Sequence, residues 1–267
     1  MNTLNKTKIN HVMTHLPSSK VLTSAWLFTE GVTPQLNRWY VQSGWFKRIG
    51  QGAYSVVGQS VSYFDALCAL QQQLKSPVHV GGKTALQLLN MSHFVPLGGL
   101  REILLFGEGV KELPRWLTTS KQWPVRFTLC RSKLFHETVD LSTLIQRDFE
   151  SVPVQLSCPE RAIMELLEHV PQKEALEEAL LLMENLVFLR STIVQSLLEN
   201  CTSIKVKRLF LYLAKRCQHT WFNDLDLSSV ELGKGKRVIG QGGHYNAEYK
   251  ISLSHLSRDD DEQLPAV

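Results

Sequence analysis

Apolar residues Val21, Leu22, Ala25, Trp26, Leu27 and Phe28 recur at helical spacing and stop at Gly31, a residue suited to closing a helix. Thr33 then offers an N-cap oxygen, Pro34 suits the first helical position and Gly44 can close the far end. The pattern predicts two helices joined by a very short turn. At about 100° per residue, Leu36, Trp39 and Tyr40 fall on one side of the second helix and Gln35, Arg38 and Gln42 on the other. The run Trp45 to Val57 holds two β-prone stretches around Gly50-Gln51-Gly52, which predicts a hairpin.

Beyond this the periodicity is mixed. Tyr63, Leu67, Leu70 and Leu74 predict a helix over 62–75, VHVG a strand, and 83–91 another helix; 101–107 and 125–130 read as strands. Ser157-Cys-Pro-Glu160 has the spacing of a capping box ahead of an amphipathic helix ending near Val170-Pro171. Helices over 173–186, 191–201 and 203–218 follow through short loops, as in an antiparallel cluster. In the last of these, Val206, Leu209, Phe210, Leu213 and Cys217 form an apolar stripe, and Lys205, Arg208, Tyr212, Lys215 and Arg216 lie opposite, a basic face with an aromatic inside it that suits either a partner or plain solvent. After Trp221 the chain turns β: 225–232, 237–241, and then Tyr245, Ala247, Tyr249, Ile251 and Leu253 in alternation, with glycine-rich turns between. The predicted class is α+β: a winged helix-turn-helix over residues 1–60, a larger mixed α/β domain over 61–258 with a C-terminal helical cluster and antiparallel strands, and an acidic tail at 259–267.

A length of 267 residues suits about two domains, and a hydrophobic share of 43% against 20% charged residues fits a folded chain. No apolar run approaches the ~20 residues of a membrane span, and the N-terminus lacks the apolar core of a secretion signal, so a cytoplasmic protein without membrane partners is expected. Five scattered cysteines with no C-x-x-C pair argue against disulfides and against a cysteine-built zinc site. The formal charge of +4 is unevenly spread: +5 over residues 1–60, −3 over 61–199, +6 over 200–258 and −4 over 259–262. Two basic ends flank an acidic middle, which suits a polyanion at one end and nucleic acid or an acidic protein at the other.

Helix, tight turn, helix and basic hairpin is the order of a winged helix-turn-helix, whose second helix enters the DNA major groove. Gln35, Asn37, Arg38 and Gln42 are then candidate base readers, Asn37 less well placed by angle, and Lys47 and Arg48 candidate phosphate contacts. The turn Gly233-Lys-Gly-Lys-Arg237 could bring backbone N–H groups and three cations toward an anion. Gly81-Gly-Lys-Thr84 falls short of a phosphate loop because Pro77 stands where its first glycine belongs. Asp224 or Asp226, the latter the preferred choice, with Glu248-x-Lys250 has the outline of an Mg²⁺-dependent nuclease, a rival reading to DNA binding alone. No zinc-helix or nucleophile-elbow motif occurs, and no cofactor or catalytic residue is expected.

Together, Gly44 to Tyr54, Val80 to Leu86, Lys205 to Leu211, and Leu232 to Arg237 with Tyr249-Lys-Ile251 resemble the AbiEi family of abortive-infection antitoxins. The resemblance covers nearly the whole chain. It implies a protein that binds double-stranded DNA, represses its own two-gene operon and neutralises a partner toxin with a nucleotidyltransferase fold, through direct binding or otherwise. DNA contacts are then expected from Thr33, Gln35, Asn37, Arg38, Gln42, Lys47, Arg48 and Gln51. Lys205, Lys207, Arg208, Lys234, Lys236 and Arg237 become the candidates for antitoxin activity. A transcription regulator whose large domain senses a small ligand is the remaining alternative.

Overall fold

A computed structural model describes residues 3–92, 99–131, 133–136, 141–172, 174–240 and 243–254. The acidic tail, and the ends of the predicted elements at Gln241 and Lys173, lie outside the described residues. The fold is α+β, with three sheets among the described residues. Two compact units divide the chain: Met1–Val80, Leu100–Ser132 and Ile145–Leu156 in unit 1, and Gly81–Gly99, Lys133–Leu144 and Ser157–Val267 in unit 2.

Unit 1 begins with α1 (Thr3–Thr14), β1 (Leu22–Thr23), α2 (Ser24–Thr29), α3 (Pro34–Gln42), β2 (Phe46–Gly50) and β3 (Ala53–Val56). The strands form an antiparallel sheet in the order β1-β3-β2. Its inner face supplies Leu22 and Phe46 to a core shared with Ile9, Val12, Leu27, Val32 and Tyr40. Helix α1 closes this core although no sequence signal announced it: its polar residues outnumber its apolar ones, and among its described side chains Ile9 and Val12 are the buried ones.

Helix α4 (Tyr63–Cys68) is opened by a capping box in which Ser62 and Asp65 bond each other's backbone N–H groups. It continues as a π-helix over Ala69–Gln73, so the predicted helix is present with a widened last turn. That turn aims two glutamine amides at neighbouring backbone. Gln73 accepts from Thr23 N–H at 2.9 Å and donates to the Val21 carbonyl at 2.7 Å, extending the pairing of β1. Gln71 does the same with Gln155, at 2.9 Å in both directions. Side-chain amides here replace a missing strand.

The larger sheet has the order β6-β5-β4-β8-β7. It is built from β4 (His79–Val80), β5 (Glu102–Phe106), β6 (Arg126–Cys130), β7 (Leu144–Phe149) and β8 (Val152–Ser157), with α5 (Gly82–Leu88) after β4 and α6 (Arg115–Thr118) after β5. β4, β5 and β6 stand where the sequence pattern places them. β7 and β8 do not appear in that pattern, because their turn consists of Glu150 and Ser151 at φ +51° and +65°. A tight hairpin turn normally advertises such angles with Asn-Gly or Asp-Gly, and this one does not.

Unit 2 is organised on α7 (Pro159–Glu168), against which α5, α8 (Leu176–Asn185), α9 (Ser191–Asn200) and α10 (Ile204–Arg216) all pack. The capping box expected at its start is not formed. Cys158 is the N-cap residue, with no side-chain cap bond, so Glu160 falls one position too early to reach back. Ser157 instead donates to the buried Glu165 carboxylate at 2.8 Å, and Glu160 pairs with Arg190 at 2.8 Å. The 225–232 strand is also absent. Asp226 accepts from Ser228 N–H at 3.0 Å and fixes a short 3-10 turn at Leu227–Ser229, a local bond that outcompetes an extended ladder. The terminal strands are β9 (Arg237–Ile239), β10 (Tyr245–Asn246) and β11 (Ile251–Leu253), in the order β10-β11-β9. The single strand expected over 245–253 instead folds back on itself through a turn at 247–250, so that β10 pairs antiparallel to β11, and β9 pairs parallel to β11.

Candidate nucleic-acid interface and the basic C-terminal helix

The α2–α3 turn is set by local chemistry. Gly31 takes φ +78° and Val32 N–H bonds the Leu27 carbonyl at 2.9 Å, which seats the Val32 side chain in the core. Thr33 Oγ1 accepts from Leu36 N–H at 3.3 Å, so this hydroxyl is occupied as the N-cap of α3. Tyr40, fully buried, meets the Phe46 ring edge-on at 5.4 Å and fixes the rotation of α3 about its axis.

That rotation leaves Gln35, Arg38 and Gln42 exposed. At positions i, i+3 and i+7 they form one stripe. Asn37 is different. It is 6% exposed and its Oδ1 is buried without a hydrogen-bond partner, so the structure turns this candidate base reader into the core. The off-face angle of residue 37 was the signal that could have excluded it.

In the hairpin, Lys47, Arg48 and Gln51 are all exposed. Lys47 and Arg48 are consecutive strand residues and point to opposite faces. Arg48 shares the face of Phe46 and is paired across to Tyr54; Lys47 lies opposite Ser55, on the other face. The hairpin is short and anchored at its tip. Gly52 accepts from Ser24 N–H at 2.9 Å, and a Cβ on Gly50 would lie 2.8 Å from Trp116 Cβ in α6. The role of Gly50 is therefore close approach to α6, which the turn pattern did not reveal.

Helix α10 overturns the expectation of a basic face open to a partner or to solvent. Residues Val206 to Ala214 are all buried, including Lys207 at 4% and Arg208 at 1% exposure. Arg208 donates to the carbonyls of Leu232 at 2.7 Å, Gly233 at 2.9 Å and Lys250 at 3.1 Å, and also to Gly235. Desolvation, with a smaller push from Arg237, lowers its guanidinium pKa. The inside of the 232–235 turn thus presents carbonyls to a cation; the expected inward array of N–H groups for an anion is not what Arg208 meets. Lys205 Nζ donates to the Glu168 and Val170 carbonyls at 2.6 and 2.7 Å, capping the C-terminal end of α7, and burial lowers its pKa. Of the six basic residues proposed for antitoxin activity, only Lys234, Lys236 and Arg237 are exposed.

The start of α5 is filled from within the protein. Gly82 N–H donates to Glu165 Oε2 at 3.0 Å, and Lys83 pairs with Glu178 at 2.6 Å and Glu174 at 3.6 Å. The nuclease outline is dispersed. Asp226 accepts from Ser228, Glu248 pairs with Lys215 at 2.7 Å, and Lys250 contributes its carbonyl to Arg208. Among the described residues no group of three His, Cys, Asp or Glu side chains could hold a metal ion. Burial pushes the thiols of Cys68, Cys201 and Cys217 up to about 11 and that of Cys158 up to about 12, away from nucleophilic use. Among the described residues no helix is long and apolar enough to cross a membrane.

Two family models match the chain. "Transcriptional regulator, AbiEi antitoxin, Type IV TA system" matches residues 101–254, and "Transcriptional regulator, AbiEi antitoxin N-terminal domain" matches residues 5–97. No curated protein matches it. Among solved structures, the RV2827C protein from Mycobacterium tuberculosis is similar, at a TM-score of 0.61 and 14% identity, over 95% of this chain and 92% of that one. At this identity the likeness is one of fold.

Proposed function

Since the chain belongs to the AbiEi antitoxin family of transcriptional regulators in type IV toxin–antitoxin systems, we propose that it represses its own promoter through α3 and the adjoining hairpin. We further propose that it neutralises a nucleotidyltransferase-type toxin through unit 2. The observation that carries the first part is the exposed stripe of Gln35, Arg38 and Gln42 on a helix whose other side is locked by Tyr40. Glutamine pairs with adenine edges and arginine with guanine edges in the major groove. Lys47 and Arg48 supply phosphate contacts on either side of the hairpin, and Gln51 a polar contact at its tip. Thr33 serves by capping α3. Asn37 is left out of the reading surface.

For antitoxin activity the exposed Lys234, Lys236 and Arg237 are the working residues, Arg208 holds the turn that presents them, and Lys205, at the end of α7, and the buried Lys207 belong to the interior of unit 2. One experiment tests both parts on the full chain. Arg38→Ala should relax sequence preference in promoter binding, and Lys47→Ala should weaken all sequences alike, with a salt slope smaller by about 1. Lys234→Ala/Lys236→Ala/Arg237→Ala should reduce rescue of cells expressing the neighbouring gene and leave promoter binding intact. Undiminished promoter selectivity in Arg38→Ala would overturn the first part, and full rescue by the triple variant the second.

A further inference from the structure

The small sheet of unit 2 has two unlike faces. Ile239, Ile251 and Leu253 are at most 1% exposed and form the buried face. Val238 pairs across to Ser252, and Ser252 to Tyr245, so these three make a row on the opposite face. Val238 is 75% exposed and Tyr245 43%. Lys236, two residues before Val238 and so on the same face, places its Nζ 4.9 Å from the Tyr245 ring centroid. Lys234 is exposed in the same turn, whereas Arg237, also exposed, pairs across to Ile251 and so starts β9 on the other side of the sheet; the Arg208 guanidinium grips the intervening carbonyls and presets the turn. The carboxylate nearest in sequence to Tyr245, Glu248, is taken by Lys215.

We propose that this face binds single-stranded nucleic acid. An aromatic ring, an aliphatic side chain and a hydroxyl on an open sheet provide a surface for a stacked base, and the preset turn with Lys234 and Lys236 supplies the charge for the adjoining phosphates, with Arg237 at its edge. Three-residue strands present no helix or ribbon long enough to follow a duplex groove. Charge complementarity sets the occupant apart from a neutral apolar partner, which would have no use for Lys234, Lys236 and Arg237. The proposal gives a ligand to the turn already assigned to antitoxin activity, and depends on that assignment for its biological role only. Promoter binding by α3 is separate from it.

The test is fluorescence anisotropy of the full chain with labelled mixed-sequence RNA and DNA strands of about 12 nucleotides, in excess unlabelled unrelated duplex that occupies the N-terminal interface. Wild-type protein should bind at least one of the two strands, and comparing them identifies which sugar is preferred. Tyr245→Ala should weaken binding about tenfold, whereas Tyr245→Phe should retain it. Lys234→Ala/Lys236→Ala/Arg237→Ala should lower the salt slope by about 2. Absence of single-strand binding, equal affinity of the two Tyr245 variants, or loss of binding in Arg38→Ala would each overturn the proposal. So would capture by this face of an acidic protein alone, lost in the same variants. Amide exchange over 236–253 should match wild type in each variant, and Tyr245→Phe keeps the test valid if Tyr245→Ala unfolds the sheet. Promoter duplex measured in the same buffer separates failure here from failure of the repressor reading.

Discussion

Arg208→Ala removes a guanidinium that is 1% exposed and takes its donors from the carbonyls of Leu232, Gly233, Gly235 and Lys250, of which Lys250 keeps the Arg237 N–H at 3.0 Å. Each hydrogen bond from a charged donor is worth about 1.5–3 kcal/mol when buried. Gly233, Gly235 and Lys250 are exposed residues, so water replaces part of what is lost. Discounted in that way, the four contacts and the vacated space give a loss of about 3–5 kcal/mol, a large part of the 5–15 kcal/mol typical of a folded domain. Arg208→Lys keeps the charge but offers a point cation in place of a planar fork, and should lose about 2 kcal/mol. Five of the six tryptophans lie in unit 1, so bulk fluorescence would report the wrong unit. Amide exchange over 230–254 is the suitable assay, with urea unfolding followed at the same amides. The expected order is wild type, Arg208→Lys, Arg208→Ala, with α2 and α3 unchanged. Protection of 232–240 in Arg208→Ala within about 1 kcal/mol of wild type would refute the view that this arginine is a structural bolt.

Two other perturbations probe different principles. Glu160 is buried, which alone would raise its pKa, but the Arg190 guanidinium and backbone N–H more than offset this and hold its carboxyl below the ordinary value. Its stabilisation is therefore complete above the unfolded pKa of about 4.3 and is lost as pH falls through the lower folded value. Arg190→Ala should cost about 1–2 kcal/mol at neutral pH, allowing for a side chain that is half exposed, and should shrink the downward shift of Glu160, because the guanidinium goes and the backbone N–H stays. The variant's urea midpoint should then fall less than that of wild type as pH drops below about 4.3, and parallel pH curves would contradict the pairing. Gly50→Ala would set its Cβ 2.8 and 2.9 Å from Trp116 Cβ and Cα, an overlap costing about 1–3 kcal/mol. Because the clash is with atoms every residue but glycine carries, Trp116→Ala should not rescue it; an unchanged melting temperature in Gly50→Ala would show that α6 can simply withdraw.

Local chemistry was sufficient wherever the deciding interaction lies within a few residues. Gly31, Thr33, Pro34 and Gly44 bound α3 from the sequence, because caps and left-handed turns are settled by neighbours. The stripe of Gln35, Arg38 and Gln42 was legible for the same reason: helical angle alone separates it from Tyr40. Tertiary structure decided what depends on distant partners. Helical periodicity placed Arg208 opposite an apolar stripe, but whether that side met water or the carbonyls of residues 232–250 was settled by a chain segment more than twenty residues away. A polar side chain on the second side of a helix is exposed only if nothing later in the chain covers it, and here the C-terminal turn does. The same holds for Glu160 and Arg190, for the glutamines that stand in for a strand, and for Gly50 beneath Trp116. Each is fixed by a long-range contact whose entropy cost the rest of the fold has already met, and that coupling leaves no periodic trace in the sequence.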